Sequence, residues 1–433
     1  MNRHTEFDAS KEQLRFAAAD EDGACARSTA GLGAGCAAST GHSTERRTLV
    51  MLSIAAFASM TSMRCADSIL PALAADFDTT TSMAAGVISA FAVGYGVLQL
   101  VSGVLGDRYG KFRVVAFATL ACTLGAMAAA LSPSLPWLRA SRFVSGATAA
   151  GIVPLTMAWI GDRIPYERRQ EVLARLLSAT VGGMIAGQWL GGLVADTLGW
   201  RAGFALLALL FAATGILLGL EQRRRTADTA DRVHRGLLSP MRAVLCLAWP
   251  RRVLAITFAE GMLAFGTLAF VPAYLHARFG LSMAAAGAVL ALFGLGGLTY
   301  SRTARRLLRG LGEKRLAALG GSLLALSFGS LALIGQWQWA VASCAVGGFG
   351  FYALHGTLQT RATQMAPATR GTAMSLFSCF LFLGQSIGVL AAAWTLDSFS
   401  APALFAAASI GLFAITWTFV WTLSRRADHE RGD

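Results

Sequence analysis

Apolar blocks, each long enough to cross a bilayer, follow one another along most of this chain and are separated by short polar segments. Their apolar residues recur with helical spacing, and none alternates in the manner of a barrel strand. A helix needs roughly 20 such residues to cross the hydrocarbon of a membrane. The pattern therefore predicts an all-α membrane protein with twelve transmembrane helices. Their predicted limits are 48–73, 83–106, 114–132, 137–160, 170–196, 201–221, 251–276, 282–304, 315–336, 338–362, 370–395 and 400–424.

The longest internal polar stretch, residues 222–250, divides the predicted helices into two groups of six. We expect a disordered tail over 1–47, helix bundles over 48–221 and 251–424, and a short second tail over 425–433. The two halves echo each other weakly, and a six-plus-six internal repeat is the architecture of many secondary transporters. The matching positions are Pro165 to Arg168 with Pro367 to Arg370, and Gly103 and Arg108 with Gly297 and Arg302.

Composition and charge agree with a membrane protein. Hydrophobic residues make up 55% of the 433 positions and charged residues only 14%, which excludes an ordinary soluble enzyme. The net charge of +13 comes from 37 basic residues, and all but five of them fall in segments that the twelve-helix topology places on one side. This positive-inside asymmetry predicts cytoplasmic termini and accounts for the charge without nucleic acid. The seven scattered cysteines have no spacing typical of a metal site or a disulfide framework.

The segment after the second helix carries the most specific motif. It reads Gly103-Val-Leu-Gly-Asp107-Arg108-Tyr-Gly110-Lys111-Phe-Arg113. This resembles the G-x-L-x-D-R-x-G-R/K-x-R signature of the major facilitator superfamily. The resemblance implies two pseudo-symmetric six-helix bundles that transport a small molecule. In the second-half copy, Ser301 stands where the aspartate would be.

Three further matches resemble the twelve-helix drug:proton antiporter branch of that family, the bicyclomycin and chloramphenicol-resistance type. Asp67-Ser-Ile-Leu-Pro71 is similar to its D-x-x-L-P motif, and Arg142-Phe-Val-Ser-Gly146 to its R-x-x-x-G motif. The fifth helix resembles G-x-x-x-G-P-x-x-G-G, except that Gln188 replaces the proline. The glycines of this third match are Gly183, Gly187, Gly191 and Gly192. Their spacing predicts close helix packing along one face.

An acid among arginines is not needed for topology, so Asp107 invites a functional interpretation. A carboxylate gains stability from arginine and from the positive end of a helix. Arg370 begins the eleventh helix on the predicted inner side, and the resemblance implies that Asp107 docks there and holds the two halves shut. We therefore predict a gate latch. Its residues are Gly103, Asp107, Arg108, Gly110, Lys111 and Arg113.

Charged residues inside predicted spans are costly and usually functional. Asp67 and Arg142 are predicted at similar depth in the outer part of the membrane, and Arg64 lies on the same helix face as Asp67. One interpretation is a local Arg64–Asp67 pair at the membrane surface. The other makes Asp67 a proton carrier whose proton affinity is set by Arg142 or Arg64.

Glu260 is predicted near the bilayer middle in the seventh helix, and His355 in the tenth. Glu260 is interpreted as a proton or substrate site, with a structural hydrogen bond as the alternative. His355 could titrate near physiological pH or simply pack. Family architecture implies that helices 1, 4, 7 and 10 surround the cavity, and one of Asp67, Arg142, Glu260 and His355 comes from each.

Several other polar and aromatic residues are candidates for the substrate cavity, although helix joining and packing are the simpler roles. They are Arg64, Tyr95, Gln99, Trp159, Gln188, His355 and Gln359, with Trp189, Phe265 and Gln385 as further candidates. Trp159 lies at the inner end of its helix, where an interfacial anchor is the alternative.

No enzymatic motif or nucleotide domain is recognisable, so no cofactor other than a proton gradient is expected. The prediction is a bacterial inner-membrane transporter, acting as a monomer, that exports a small amphipathic compound such as a drug, siderophore or metabolite in exchange for protons. Proton-coupled uptake is the first alternative, because the altered fifth-helix motif weakens the antiport interpretation. A non-transporting membrane sensor is the alternative of another class.

Overall fold

The computed structural model describes residues 46–224, 238–366 and 369–432, and most of them are helical, with no strand in these ranges. The long helices are numbered α1 to α12 and are joined by short connections. Their bounds are 46–64 (α1), Thr81–Tyr109 (α2), Lys111–Ala130 (α3), Leu135–Arg163 (α4), Tyr166–Thr197 (α5), Trp200–Arg224 (α6), Ala248–Phe279 (α7), 283–311 (α8), 313–333 (α9), Gln338–Gln364 (α10), Arg370–Ser398 (α11) and Ala401–Gly432 (α12). The described residues from Leu52 onwards form one compact unit.

Ten helical stretches in the described ranges are long and apolar enough to cross a membrane. The longest, Met283–Leu333, contains two helices, because Gly312 leaves the helical conformation at φ 72° and ψ 168°. With α1, the helix count is twelve, so the predicted fold class is confirmed. Most predicted limits lie within a few residues of the observed ones.

A glycine with positive φ precedes the third helix of each half. Gly110 has a φ of 89° before α3, and Gly312 has a φ of 72° before α9. A side chain would strain the backbone at either position. The sequence-based counterparts Gly297 and Arg302 are out of register with this turn. Gly103 and Arg108 lie 7 and 2 residues before Gly110, whereas Gly297 and Arg302 lie 15 and 10 residues before Gly312. The repeat is instead marked by the two turn glycines.

The first helix is interrupted at the predicted proton site. α1 ends at Arg64, residues 65–69 form turns, and a short helix, Leu70–Asp76, follows with Pro71 in its first turn. The prediction that Asp67 lies within a continuous helix is therefore wrong. A proline favours the start of a helix and cannot continue the preceding one, which explains the break.

The seventh helix is also irregular, at a similar place in the second half. It is regular up to Glu260 and continues as a π-helix over Gly261–Phe265. A further break precedes the last segment, Val271–Phe279, which has Pro272 in its first turn. Interrupted helices at matching positions of the two halves are typical of transporter binding sites.

The glycine face of α5 packs directly against α1. A Cβ at Gly187 would lie 2.5 Å from the Thr61 carbonyl oxygen, so only glycine permits this approach. The same relation holds along two further turns. The facing pairs are Gly183 with Phe57, Gly187 with Thr61, and Gly191 with Cys65.

α11 packs against α7 in the same way. Cβ atoms at Gly384 and Gly388 would collide with the backbone of Phe258 and Met262. The sequence repeat behind this packing is Gly187-Gln188-x-x-Gly191 in α5 and Gly384-Gln385-x-x-Gly388 in α11. The two halves therefore share one packing device, with helices 1 and 5 equivalent to helices 7 and 11.

Two seams join the halves. The two ends of the bundle are named after the loops that they carry. The end that carries Gly110 and Gly312 is the basic end, and the end that carries Gly199 and Gly280 is the far end. One seam lies between α5 and α8, where Gly192 approaches the backbone of Met283. The other lies between α2 and α11.

Contacts in the second seam are concentrated away from the basic end. The hydroxyl oxygens of Ser89 and Ser386 are 2.6 Å apart, and the ring centroids of Tyr95 and Phe382 are 4.5 Å apart. Closer to the basic end, a Cβ at Gly103 would meet nothing within 4 Å. The α2–α11 seam is thus closed towards the far end and loose at the basic end.

The predicted central loop is only partly a loop. Residues 225–237 and the tail over 1–45 lie outside the described residues. The predicted disorder of the tail therefore stays a prediction. A short helix, Leu238–Cys246, precedes α7, and its Val244 packs into a buried cluster with Val253 and Leu254. This linker helix therefore attaches to the second half.

Candidate functional site

Two arginines and one aspartate are buried together in the first half. Arg64 and Arg142 are each 1% exposed, and Asp67 is fully buried. Arg64 Nη1 lies 3.5 Å from Asp67 Oδ2, within one turn of the chain. Arg142 bonds to Ser62 rather than to Asp67, so the three side chains together carry one excess positive charge while Asp67 is ionised.

Arg142 is held by the backbone before the α1 break and by aromatic rings. Its Nη2 donates to the Ser62 carbonyl oxygen at 2.8 Å, and its Nη1 donates to the Ser62 hydroxyl at 3.2 Å. The guanidinium carbon lies 4.3 Å from the ring centroid of Phe91 and 5.4 Å from that of Phe204. Cation–π contacts of this kind strengthen when water is excluded. Arg142 thus ties α4 to α1 beside Asp67.

Glu260 and His355 form a second buried pair, in the other half. His355 Nδ1 is 2.9 Å from Glu260 Oε2, and the two side chains come from α7 and α10. The Glu260 side chain is fully buried, whereas that of His355 is 15% exposed. The imidazole stacks on Phe351 with centroids 5.0 Å apart, and Phe377 approaches to 5.3 Å. Aromatic rings therefore surround the pair, and only the histidine side chain is accessible to solvent.

Two phenylalanines connect these clusters across the halves. The Arg64 guanidinium carbon lies 4.2 Å from the ring centroid of Phe265. The Phe265 ring is 4.7 Å from Phe351, which in turn stacks on His355. Phe265 ends the π-helical segment, so the irregular turn after Glu260 determines where its ring lies. The structure thus brings helices 1, 4, 7 and 10 together, as two pairs joined by rings.

One face of α10 is polar and partly exposed. Tyr352 and His355 are half-buried, and Gln359 is exposed about one turn nearer the basic end. Polar side chains facing lipid are costly, so this face lines the space between the halves rather than acyl chains. Gln359, a predicted cavity residue, belongs to this polar face.

The predicted latch is not engaged in this conformation. Asp107 is exposed and forms no ion pair among the described residues. Lys111 instead pairs with Asp162 of α4, within its own half. A Cβ at Gly106 would collide with Leu155, also of α4. The segment therefore joins α2, α3 and α4, and its predicted contact with α11 is absent here.

The second half carries an ion pair at the equivalent place with opposite polarity. Glu313, the first residue of α9, accepts two hydrogen bonds from the guanidinium of Arg361 in α10. In the first half, the basic partner Lys111 begins α3 and the acid lies on α4. The sequence alone did not predict Asp162, Glu313 or Arg361. The repeated turn glycines could have indicated them, because each ion pair includes the residue that follows one of these glycines.

Other predicted cavity residues lie in packed positions. Tyr95 lies in the α2–α11 seam, and the Trp159 ring is buried 6.2 Å from Phe112 of α3. Gln99 and Gln188 are buried, and the Gln188 backbone faces Gly287 in the α5–α8 seam. The burial of Trp159 does not fit the interfacial-anchor interpretation.

One functional contact was missed by sequence reasoning. Asp196, near the end of α5, accepts from the backbone N–H groups of Met283 at 3.2 Å and Ala284 at 2.7 Å. A carboxylate at a helix N-terminus stabilises its unpaired N–H groups and positive dipole end. Asp196 therefore caps α8 across the α5–α8 seam at the far end. The sequence offers no motif for it, because the partner is backbone.

Comparisons with known proteins agree with this architecture. The model of the Major Facilitator Superfamily matches residues 52–369. A chloramphenicol resistance protein of Streptomyces lividans is 29% identical over 358 residues, covering 80% of this chain and 88% of the relative. The multi-drug resistance efflux pump PmrA of Streptococcus pneumoniae is 31% identical over 130 residues, covering 30% and 32%. A crystal structure of the nucleoside transporter NupG matches with a TM-score of 0.71 at 14% identity, covering 86% and 98%.

Proposed function

This chain belongs to the Major Facilitator Superfamily and is a multi-pass membrane transporter rather than an enzyme; we propose that it exports a small amphipathic compound in exchange for protons. Drugs, siderophores and metabolites of that character all fit the proposal. The bacterial inner membrane is the proposed location, with cytoplasmic termini, and the monomer is the proposed working unit. Export is supported by relatives whose names describe drug resistance and efflux.

The single observation that carries the proposal is the pair of buried charged clusters joined by Phe265. The cluster around Asp67 belongs to one half and the Glu260–His355 pair to the other. Arg64 rests on Phe265 across the boundary, so rocking of the halves would change the surroundings of both acids. A transporter needs such a link to make proton binding depend on which end is open.

Alternating access accounts for the uneven seams. The α2–α11 seam is closed towards the far end and loose around Gly103 at the basic end. The positive-inside distribution places the basic end in the cytoplasm. The conformation described is therefore assigned as open to the cytoplasm. In the opposite conformation, Asp107 would reach the N-terminus of α11 and latch the cytoplasmic side.

Export can be tested in proteoliposomes with an acidic lumen, using ethidium and radiolabelled chloramphenicol as probes. A growth screen in an efflux-deficient bacterial host first selects the probe that the protein exports. When the basic end faces the bath, protons leaving the lumen should drive the probe inward and concentrate it. An uptake symporter would deplete the lumen instead. Loading that persists unchanged after an ionophore collapses the pH gradient would exclude proton coupling.

The Asp196 cap gives a prediction about the far end. Asp196→Ala removes the contact with α8, and losing a helix cap typically costs about 1 kcal/mol. We expect the far end to open several times more often. The readout is the rate at which N-ethylmaleimide labels buried Cys65, with the other cysteines replaced. Asp196→Asn should label at an intermediate rate, because its single amide oxygen can replace only one of the two acceptors.

The matched control for this prediction is Asp397→Ala. Asp397 is also exposed, and it lies near the end of α11 at the same end of the bundle. No hydrogen bond or ion pair from its side chain is present among the described residues. Equal labelling rates in Asp196→Ala and Asp397→Ala would contradict a capping role in closure.

A further inference from the structure

The geometry of the second-half pair points to one atom as its proton-binding site. We infer that Nε2 of His355 takes up the transported proton in the conformation described, with Glu260 as a permanently sealed counter-charge. This inference rests on the proposed proton-coupled transport, and it changes the role first expected for Glu260. The acid is assigned to orient and balance the imidazole rather than to exchange protons with water.

The assigned charge of Glu260 determines which nitrogen is free. With Glu260 ionised, Nδ1 carries the hydrogen of the 2.9 Å contact and Glu260 Oε2 accepts it. A neutral imidazole then keeps its lone pair on Nε2, on the other side of the ring. Stacking on Phe351, with an angle of 12° between the rings, holds the ring in this orientation.

Access separates the two partners. Glu260 is fully buried, while 15% of the His355 side chain is exposed. His355 belongs to the polar face of α10, which continues through Gln359 towards the basic end. Water between the halves can therefore reach His355 along this face without reaching Glu260. Asp67 in the other half is fully buried, so it has no comparable path in this conformation.

The step itself balances as a single proton transfer. A hydronium ion gives its proton to Nε2 and leaves as water, while Nδ1–H stays bonded to Glu260. The pair changes from one net negative charge to none, and loss of the proton reverses the change. A neutral ion pair is cheaper to bury than an unpaired carboxylate. Loading would thus favour closure of the basic end over the pair.

Few other charged or titratable groups face this pair. Arg64 of α1 approaches from the first half across Phe265, and Tyr352 lies one turn away on α10. Cys379 is the nearest titratable residue along α11 from Phe377. On α7 itself, the basic residues lie near the helix ends, and they are Arg251, Arg252, His276 and Arg278. His355 is therefore the group of this surrounding whose ordinary charge change falls between about pH 5 and 8.

The direct test is nitrogen NMR of the purified full-length protein labelled with [15N]histidine. His355 is one of six histidines, and its signals are those missing from the His355→Gln spectrum. We expect a neutral form protonated at Nδ1, with Nε2 gaining a proton as the pH is lowered from 9 to 5. A neutral form protonated at Nε2, or no titration of His355 from pH 5 to 9, would overturn the assignment.

Transport supplies the second readout, with ethidium or chloramphenicol as chosen by the growth screen. His355→Gln should lose at least tenfold of the gradient-driven loading and keep probe counterflow within about twofold, because exchange needs no net proton movement. The control is His276→Gln, whose imidazole contacts the Leu281 carbonyl oxygen near the far end. Gradient-driven loading by His355→Gln at the rate of the His276→Gln control would overturn the inference.

A second variant covers the case in which His355→Gln fails to fold. Glu260→Gln keeps the shape of the acid but removes its charge, so the His355 titration should be displaced while the histidine itself remains visible. An unchanged titration would overturn the role of Glu260. If His355 titrates as expected but the wild type shows no gradient-driven loading, the proposed function fails and the proton site stands.

Discussion

Asp67→Asn is expected to destabilise the folded protein by about 3–5 kcal/mol, the usual result of removing one partner from a buried ion pair. The variant leaves Arg64 and Arg142 buried without a carboxylate. Both guanidinium groups would keep their charge, because arginine does not deprotonate in proteins. The measurement is thermal unfolding of the detergent-purified protein, with the yield of monodisperse protein as a second readout.

Two variants make this prediction specific. Asp76→Asn removes an acid just beyond the same break, and Asp76 is 40% exposed and pairs with Arg201 at 2.6 Å. Exposed pairs contribute only about 0–1 kcal/mol, so this control should unfold near the parent temperature. Adding Arg64→Met to Asp67→Asn should recover part of the loss by removing one unpaired cation. Similar unfolding temperatures for Asp67→Asn and Asp76→Asn would show that the Asp67 carboxylate does not stabilise the two buried arginines.

The buried cluster around Asp67 also bears on proton coupling. Asp67 is fully buried, so it cannot exchange a proton with water while the cluster is sealed as described. Proton binding at Asp67 therefore belongs to the conformation with an open far end. His355, by contrast, is reachable in the present conformation. The two halves would then take up and release protons in turn.

Gly187→Ala should be a strongly damaging single-methyl change in α5. The new Cβ would lie 2.5 Å from the Thr61 carbonyl oxygen and 3.2 Å from the Arg64 Cβ. Backbone cannot yield as a side-chain tip can, so the two helices must separate, and overpacking of this kind typically costs about 1–3 kcal/mol. A shift of Arg64 would also disturb its contact with Phe265. The measurement is again the unfolding temperature, together with gradient-driven transport.

Gly182→Ala is the matched control for this prediction. It adds the same methyl to the same helix, but its nearest neighbours are ring atoms of Phe57 at 4.0 Å, an ordinary contact. Alanine also favours helix more than glycine does, so this variant should be neutral or slightly stabilised. If both alanine variants unfold at the same temperature, the close packing of α5 on α1 is not what holds them.

The number and class of helices could be predicted from sequence because lipid leaves the backbone few choices. An apolar stretch in a bilayer must satisfy its own hydrogen bonds, and a helix does so locally. Length and hydropathy therefore placed most helix limits within a few residues. Where the chain departs from a regular helix, at 65–69 and at Gly261–Phe265, hydropathy carries no signal. The break at 65–69 has a local cause in Pro71, whereas the π-helical turn depends on tertiary packing.

The candidate site was predictable in its residue types but not in its pairing. Asp67, Arg142, Glu260 and His355 stood out because charge is rare inside a membrane span. That Glu260 bonds to His355, while Arg142 bonds to Ser62, depends on the rotation of each helix. No single-sequence pattern fixes that rotation. Contacts to backbone groups are invisible to any reading of side-chain motifs.

The π-helical turn over Gly261–Phe265 makes the alignment of the two halves depend on a single residue of chain length. Each residue of an α-helix turns it by about 100°. Deleting one residue from this turn would restore an ordinary helix and swing the position of Phe265 away from Arg64, while Glu260 stayed on His355. An insertion or deletion of one codon at this point would therefore uncouple the charged clusters without removing any of their charges.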